Sequence, residues 1–259
     1  MNIPKIRLIE ELAANAWRPE IEQHVGGWRL RYSGGKSRRV NSVWPSAPPN
    51  LESIEAALEI AEAFYQQRSA IPYFQLCPAA LPVELPQMLA DRGYTFGAYT
   101  EMQIQPIQDV LSRTEAPAAK VVASPTLTDG WFGLYTSAAG YPPERLPIRH
   151  GILSRIGPPA HFVWLESQGE PAATGLGVVE RGWLGVFCVV TATPFRRHGL
   201  AIGLMHTLAQ WGKQQGAENV YLQVMERNLP ALNLYRKLGF NRMYRYYYAA
   251  KGGEVDETH

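Results

Sequence analysis

The stretch around residues 183–216 constrains this chain most. An apolar run, Gly185 to Val190, is followed by Pro194, Phe195, Arg196, Arg197, His198 and Gly199. A helical pattern then begins, with Ala201, Leu204, Met205, Leu208 and Trp211 at helical spacing. Strand, basic glycine loop, helix is a layout that holds a pyrophosphate. Gly199 can take a positive φ and lets the backbone come close. Amides of the loop and first helical turn then point at the anion, helped by the helix dipole. Arg196 and Arg197 add fixed charge suited to phosphate oxygens. The spacing Arg196-x-x-Gly199-x-Ala201 lacks the Gly-Lys-Ser/Thr of a Walker loop and the three glycines of a dinucleotide fingerprint. An ordinary strand-turn-helix with surface arginines is the plain alternative.

Downstream, Val220-Tyr221-Leu222-Gln223-Val224 reads as a short buried strand. After it comes Asn228-Leu229-Pro230-Ala231-Leu232-Asn233-Leu234-Tyr235-Arg236-Lys237-Leu238-Gly239-Phe240. The arginine-glycine loop resembles motif A, and this last segment motif B, of the GNAT superfamily of acetyl-CoA-dependent N-acetyltransferases. The resemblance covers roughly residues 120–250. It implies an α/β (α+β) fold: a mixed, mostly antiparallel sheet flanked by helices. It implies acetyl-CoA as acyl donor and an amine acceptor, a small molecule or a protein. Arg196, Arg197, His198, Gly199, Leu200 and Ala201 would hold the cofactor. The backbone of Val189, Val190 and Thr191 would meet its pantetheine arm, and Asn228 would contact it. Tyr235 would protonate the departing thiolate. A core tyrosine packing beside Leu234 and Leu238 is the other reading of Tyr235, and a helix N-cap that of Asn228. Glu226 is the candidate base, with Glu180, Glu166 and bound water as alternatives. The family often carries proline three residues before the first loop arginine; here that place is Thr193, and Pro194 follows.

Composition narrows the rest. With 46% hydrophobic residues among 259, the chain can build a real core. A net charge of +2 demands neither nucleic acid nor a membrane as partner. The basic hairpin of Arg29, Arg31, Lys36, Arg38 and Arg39 is a weak argument for nucleic acid in a nearly neutral chain. Met1 to Glu11 lacks a signal peptide's apolar core, and no apolar stretch is long enough to span a bilayer. Cytoplasm is the expected compartment. Cys77 and Cys188 read as reduced, buried thiols, Cys188 as core. An acyl-cysteine route would need a histidine that no sequence signal supplies. The six histidines show no metal-ligand spacing, so no metal is expected. A homodimer is compatible with the sequence.

Along the chain, Leu8–Trp17 predicts a helix. Trp28, Leu30 and Tyr32, alternating with Arg29 and Arg31, predict a strand. Arg39–Trp44 predicts a second strand, closing a hairpin through Ser33-Gly34-Gly35-Lys36. Asn50 is placed as a cap for a helix carrying Ile54, Leu58, Ala61, Phe64 and Tyr65 inward. Tyr73–Cys77 and Thr95–Gln105 predict strands around a helix from Leu85 to Arg92. Ser112–Ser124, rich in Ala and Pro, reads as a linker and sets a boundary near 118. His161–Ser167, Ala172–Glu180 and Trp183–Val190 predict three antiparallel strands with turns at Gln168-Gly169 and Arg181-Gly182. Arg242–Ala250, rich in tyrosine, predicts a last strand. A faint repeat links Phe74-Gln75-Leu76, Leu89–Tyr94 to Leu222-Gln223-Val224, Tyr235–Phe240. It suggests a tandem: 1–118 a degenerate GNAT-like unit without a cofactor loop, and 119–259 the catalytic one. A non-catalytic coenzyme A-binding or regulatory module is the competing function.

Overall fold

The structure, a computed structural model, describes residues 2–35, 37–50, 52–252 and 255. Lys36 of the basic hairpin and His259 lie outside the described residues. The first half forms α1 (Ile3–Ala16), β1 (Ile21–Val25), β2 (Trp28–Tyr32), β3 (Val43–Pro45), α2 (Ile54–Gln66), β4 (Tyr73–Leu76), α3 (Leu85–Asp91), β5 (Tyr94–Pro106) and α4 (Ile107–Ser112). The second forms β6 (Lys120–Ser124), α5 (Asp129–Ala139), α6 (Leu146–Ser154), β7 (Ala160–Ser167), β8 (Glu170–Glu180), β9 (Trp183–Thr191), α7 (Leu200–Gln214), β10 (Asn219–Met225), α8 (Leu229–Lys237) and β11 (Asn241–Lys251). Among the described residues no helix is long and apolar enough to cross a membrane.

Two compact units result. One comprises Met1–Glu11, Trp17–Glu101 and Tyr244–His259; the other Leu12–Ala16 and Met102–Met243. The chain therefore changes unit inside β5, at Glu101/Met102, and not at the boundary expected near 118. Its final strand belongs mostly to the first unit.

In the first unit the strand order is β1-β2-β3-β4-β11-β5. β2 pairs antiparallel with β1 and β3, whereas β3 pairs parallel with β4. Arg39–Trp44 is not one strand: Arg38–Val40 forms a 3-10 turn, and only Val43–Pro45 is extended. Ser53, not Asn50, caps α2, its hydroxyl accepting from the Ala56 amide at 3.1 Å. Trp28 is fully buried, edge-on to Phe74, and its one polar atom donates to the Leu81 carbonyl at 3.0 Å.

Arg31 departs from simple alternation. It was expected on the outer face of β2 but is 2% exposed. Its Nη2 donates to Gln75 Oε1 and Ser42 Oγ, both at 2.9 Å. Gln75 Nε2 donates to Glu10 Oε2 at 2.7 Å, and the Tyr244 hydroxyl donates to Glu10 Oε1 at 2.6 Å. Burial pushes the Glu10 carboxyl above the ordinary value of 4.5, against the opposing pull of Tyr244 and Arg31. A buried polar cluster is tolerable when every member is satisfied.

In the second unit the order is β5-β10-β9-β8-β7-β6. β6 to β9 are successively antiparallel, and β9 pairs parallel with β10. The two predicted tight turns are present, with positive φ at Gln168, Gly169, Arg181 and Gly182, as two-residue hairpins of right-handed twist require. α7 buries Leu204, Met205 and Leu208 in a core shared with Leu184, Val186, Val220, Leu222 and Tyr235. α5 packs on the opposite face through Trp131, whose Nε1 donates to the carbonyls of Val163 and Gly175 at 3.0 and 3.2 Å. The segment read as a linker is ordered: Lys120–Ser124 is an edge strand beside β7, and Pro117 lies over Gly203. A Cβ on Gly203 would come within 2.6 Å of Pro117 Cβ.

Replacing Glu10 by leucine strands the Gln75 and Tyr244 donors. Urea denaturation should show a loss of about 3 kcal/mol, with Glu10→Gln costing at most about 1 kcal/mol. Because the folded-state value of Glu10 is raised, its stabilising contribution is fully present below pH ~4.5 and declines as pH rises through the folded-state value. Glu10→Gln should flatten that part of the stability–pH profile.

Candidate active site

β9 and β10 pair only from Trp183↔Asn219 to Val186↔Leu222. Beyond that pair the strands diverge. The cause is on the other side of β9. Thr174 of β8 faces Val190, but Leu176 faces Phe187, so β9 fits Cys188 and Val189 against Gly175 alone. This bulge puts Cys188 at φ +53, and the Thr174 hydroxyl holds the Cys188 carbonyl at 3.1 Å. A bulge bends its strand and sharpens its twist. Cys188 is half-buried at the bulge rather than a core thiol. Part of the backbone edge of Val189, Val190 and Thr191 is thereby left without a strand neighbour on the β10 side.

The chain leaves β9 through a 3-10 turn at Thr193–Phe195, and Arg196 Nε donates back to the Thr191 carbonyl at 3.2 Å. Arg197 (φ +67) and Gly199 (φ +76) then turn the backbone left-handed, with Gly199 at the N-cap of α7. The Gly199 carbonyl accepts from the amides of Ile202 and Gly203. Among the described residues the amides of Arg197, His198, Gly199, Leu200 and Ala201 have no acceptor. They form a concave row of donors at the positive end of a 15-residue helix. The side chains of Arg196, Arg197 and His198 are exposed beside it.

The matching place in the first unit is different. Between β3 and α2, the Ser46 amide donates to the Trp44 carbonyl and the Ala47 amide to the Gly27 carbonyl, while Pro48 and Pro49 have no amide hydrogen. The turn Gly26-Gly27 fills the space: a Cβ on Gly26 would lie 1.7 Å from the Pro49 carbonyl oxygen.

Tyr235 lies on α8, 8% exposed, its ring 5.7 Å from Phe240. Burial pushes its hydroxyl up to about 12. Among the described residues that hydroxyl has no hydrogen-bond partner. Asn228 caps α8, its Oδ1 accepting from the Ala231 amide at 3.2 Å. Glu226 follows β10 and stands 3.9 Å from Arg242. Glu180 binds Asn15 and pairs with Trp183 at the end of β9 remote from the loop, and Glu166 bonds Lys120 on the edge strand. Neither is at the divergence.

Three residues went unnoticed in the sequence. Tyr135 of α5 bonds the Tyr141 hydroxyl at 3.1 Å, Arg149 sits 4.6 Å from the Tyr141 ring, and burial together with the nearby Cys188 sulfur holds the Tyr135 hydroxyl well above its usual range. The aromatic loop Tyr141-Pro142-Pro143 was their only signal. Among the described residues no cluster of His, Cys, Asp or Glu could hold a metal.

A family model described as "Probable histone acetyltransferase Rv0428c C-terminal" matches residues 4–249. The chain belongs to that family of GNAT N-acetyltransferases. A Bacillus subtilis (strain 168) protein named an uncharacterized N-acetyltransferase, YobR, is 31% identical over 249 residues, covering 95% of this chain and 98% of its own. Among solved structures, a GCN5-related N-acetyltransferase from Kribbella flavida superposes with TM-score 0.69 at 18% identity, over 98% of this chain and 96% of its own. A tandem GNAT protein from the clavulanic acid biosynthesis pathway gives TM-score 0.67 at 14% identity, covering 96% and 89%. These two share the fold, and the family match makes this GNAT chain an N-acetyltransferase.

Both helix caps contribute measurably to stability. Asn228→Ala should lower stability by about 1 kcal/mol, and Gly199→Ala by a similar amount because alanine resists the left-handed region. Chemical denaturation of both variants measures this.

Proposed function

We propose that the chain transfers an acetyl group from acetyl-CoA to a primary amine by direct attack of the amine on the thioester. The observation that carries the reading is the row of unpaired amides from Arg197 to Ala201, opening beside the diverged edges of β9 and β10. The amides, the charges of Arg196 and Arg197 and the imidazole N–H of His198 suit a pyrophosphate. The backbone of Val189, Val190 and Thr191 suits an amide-bearing arm lying along β9, and Asn228 borders the same opening.

Acetyl-CoA supplies the activated acyl group; the chain supplies position and proton transfer. Burial pushes the Tyr235 hydroxyl up to about 12, so it is protonated at neutral pH and suits the donor of a proton to the departing sulfur. Glu226 suits the group that takes the ammonium proton, directly or through water. In balance, a nitrogen–carbon bond forms, the carbon–sulfur bond breaks, nitrogen loses one proton and sulfur gains one. The acceptor is a small-molecule amine or a protein lysine or N-terminus. The first unit, with Ser46 and Ala47 amides bonded to neighbouring carbonyls and prolines at 48 and 49, fits a unit that binds no cofactor, leaving the chemistry to the second unit.

Calorimetry with acetyl-CoA should show micromolar binding, weakened at least tenfold by Arg196→Ala and abolished by Gly199→Asp. Tyr235→Phe should leave that affinity unchanged and lower kcat by about 10²–10⁴. No binding by a folded wild-type chain would leave the non-catalytic module instead.

A further inference from the structure

We propose that Gln223 positions the acceptor, its side-chain oxygen taking a hydrogen bond from the attacking amino nitrogen. The proposal rests on the acetyl-transfer reading above. Gln223 is the first residue of β10 past the last pair with β9, Val186↔Leu222. It sits between the apolar Leu222 and Val224 in the strand Asn219–Met225. Its Oε1 is shut off from solvent and has no hydrogen-bond partner among the described residues. Buried polar atoms are almost always paired, so an orphaned acceptor on β10 where its pairing with β9 ends points to a donor that arrives with a ligand.

Side-chain alternation settles the direction. Val220, Leu222 and Val224 pack into the core that contains α7, α8 and Tyr235. Gln223 therefore shares the other face with Tyr221, whose ring meets Phe187 of β9 edge-on at 6.0 Å. The proton donor for sulfur and the group that holds nitrogen thus flank the opening from opposite faces of the sheet, and the two reactants need not compete for space. An amide oxygen is not basic enough to take the proton. Gln223 is a positioning residue, able to accept from a neutral amine and, more strongly, from an ammonium. Two N–H donors share this chemistry: the acceptor's amine and a pantetheine amide of acetyl-CoA. The face argument favours the amine.

The test uses the full chain, acetyl-CoA and ethylamine as the probe. Gln223→Leu keeps the volume and removes the acceptor; Gln223→Glu keeps an acceptor. With Gln223→Leu, calorimetric affinity for acetyl-CoA should stay within about twofold, which also shows that the variant is folded. Its kcat/KM for ethylamine should fall about tenfold or more, mainly through KM, and Gln223→Glu should retain most of the wild-type amine KM. A crystal structure with acetyl-CoA and ethylamine should place nitrogen about 3 Å from Oε1. The proposal is overturned if Gln223→Leu weakens acetyl-CoA instead, if a pantetheine amide occupies Oε1, or if ethylamine nitrogen binds elsewhere. Failure of the wild-type chain to bind acetyl-CoA sinks the transfer reading itself, and this inference with it.

Discussion

Parallel strands bonded along their whole length leave nothing between them for a ligand to use. β9 and β10 stop bonding after Val186 and Leu222, and the reason is an extra residue on the far side of β9. The bulge at Cys188 and Val189 turns the strand away from β10 and is pinned by a threonine hydroxyl on β8. Just before the divergence, Gly185 lets Tyr221 lie flat against β9; a Cβ there would sit 2.5 Å from the Tyr221 hydroxyl. Close packing below and a bulge above turn a continuous sheet into one with an opening. Every group discussed for the chemistry, from the loop amides to Tyr235 and Gln223, gains its meaning from that opening.

The two halves share a strand-loop-helix plan but differ in the chemistry of the loop. β2-β3-α2-β4 repeats β8-β9-α7-β10: an antiparallel pair, then a parallel pair joined across a helix. In the second copy the amides of Arg197 to Ala201 have no acceptor among the described residues. In the first, two amides are spent on neighbouring carbonyls and two positions are proline. Pyrophosphate binding at a helix N-terminus depends on free N–H groups, so topology alone confers nothing.

Local signals were readable where the chemistry is local. The glycine turns, the β9-loop-α7 layout and the α8 segment ending at Gly239 all depend on neighbours within a few residues. β1 was missed because Ile21 to His24 is exposed and owes its extension to pairing with β2. Arg31 looked like a surface residue, since the Gln75 and Glu10 side chains that make its burial tolerable lie far away in sequence. Ser112–Ser124 looked like a linker because Pro117 and the edge strand owe their order to Gly203 and β7. The bulge has no composition of its own: Cys188 is an unremarkable strand residue until its φ is known.

Strain marks the same region. Within twelve positions, Cys188, Arg197 and Gly199 all hold positive φ, at +53, +67 and +76. Gly199 bears this at no steric cost, but for the other two the left-handed region costs roughly 1–2 kcal/mol each. A fold selected only for stability would place glycine or asparagine there. Arginine at 197 instead sets a fixed positive charge against the donor row that its own backbone turn creates, and Cys188 carries the bend that opens the strand. The strain is tolerated because the surrounding elements are over-determined: β8 is bonded on both edges, and α7 is anchored by Leu204 and Leu208, which are fully buried. Local instability at an opening backed by a rigid sheet is what a ligand that completes the missing hydrogen bonds can exploit.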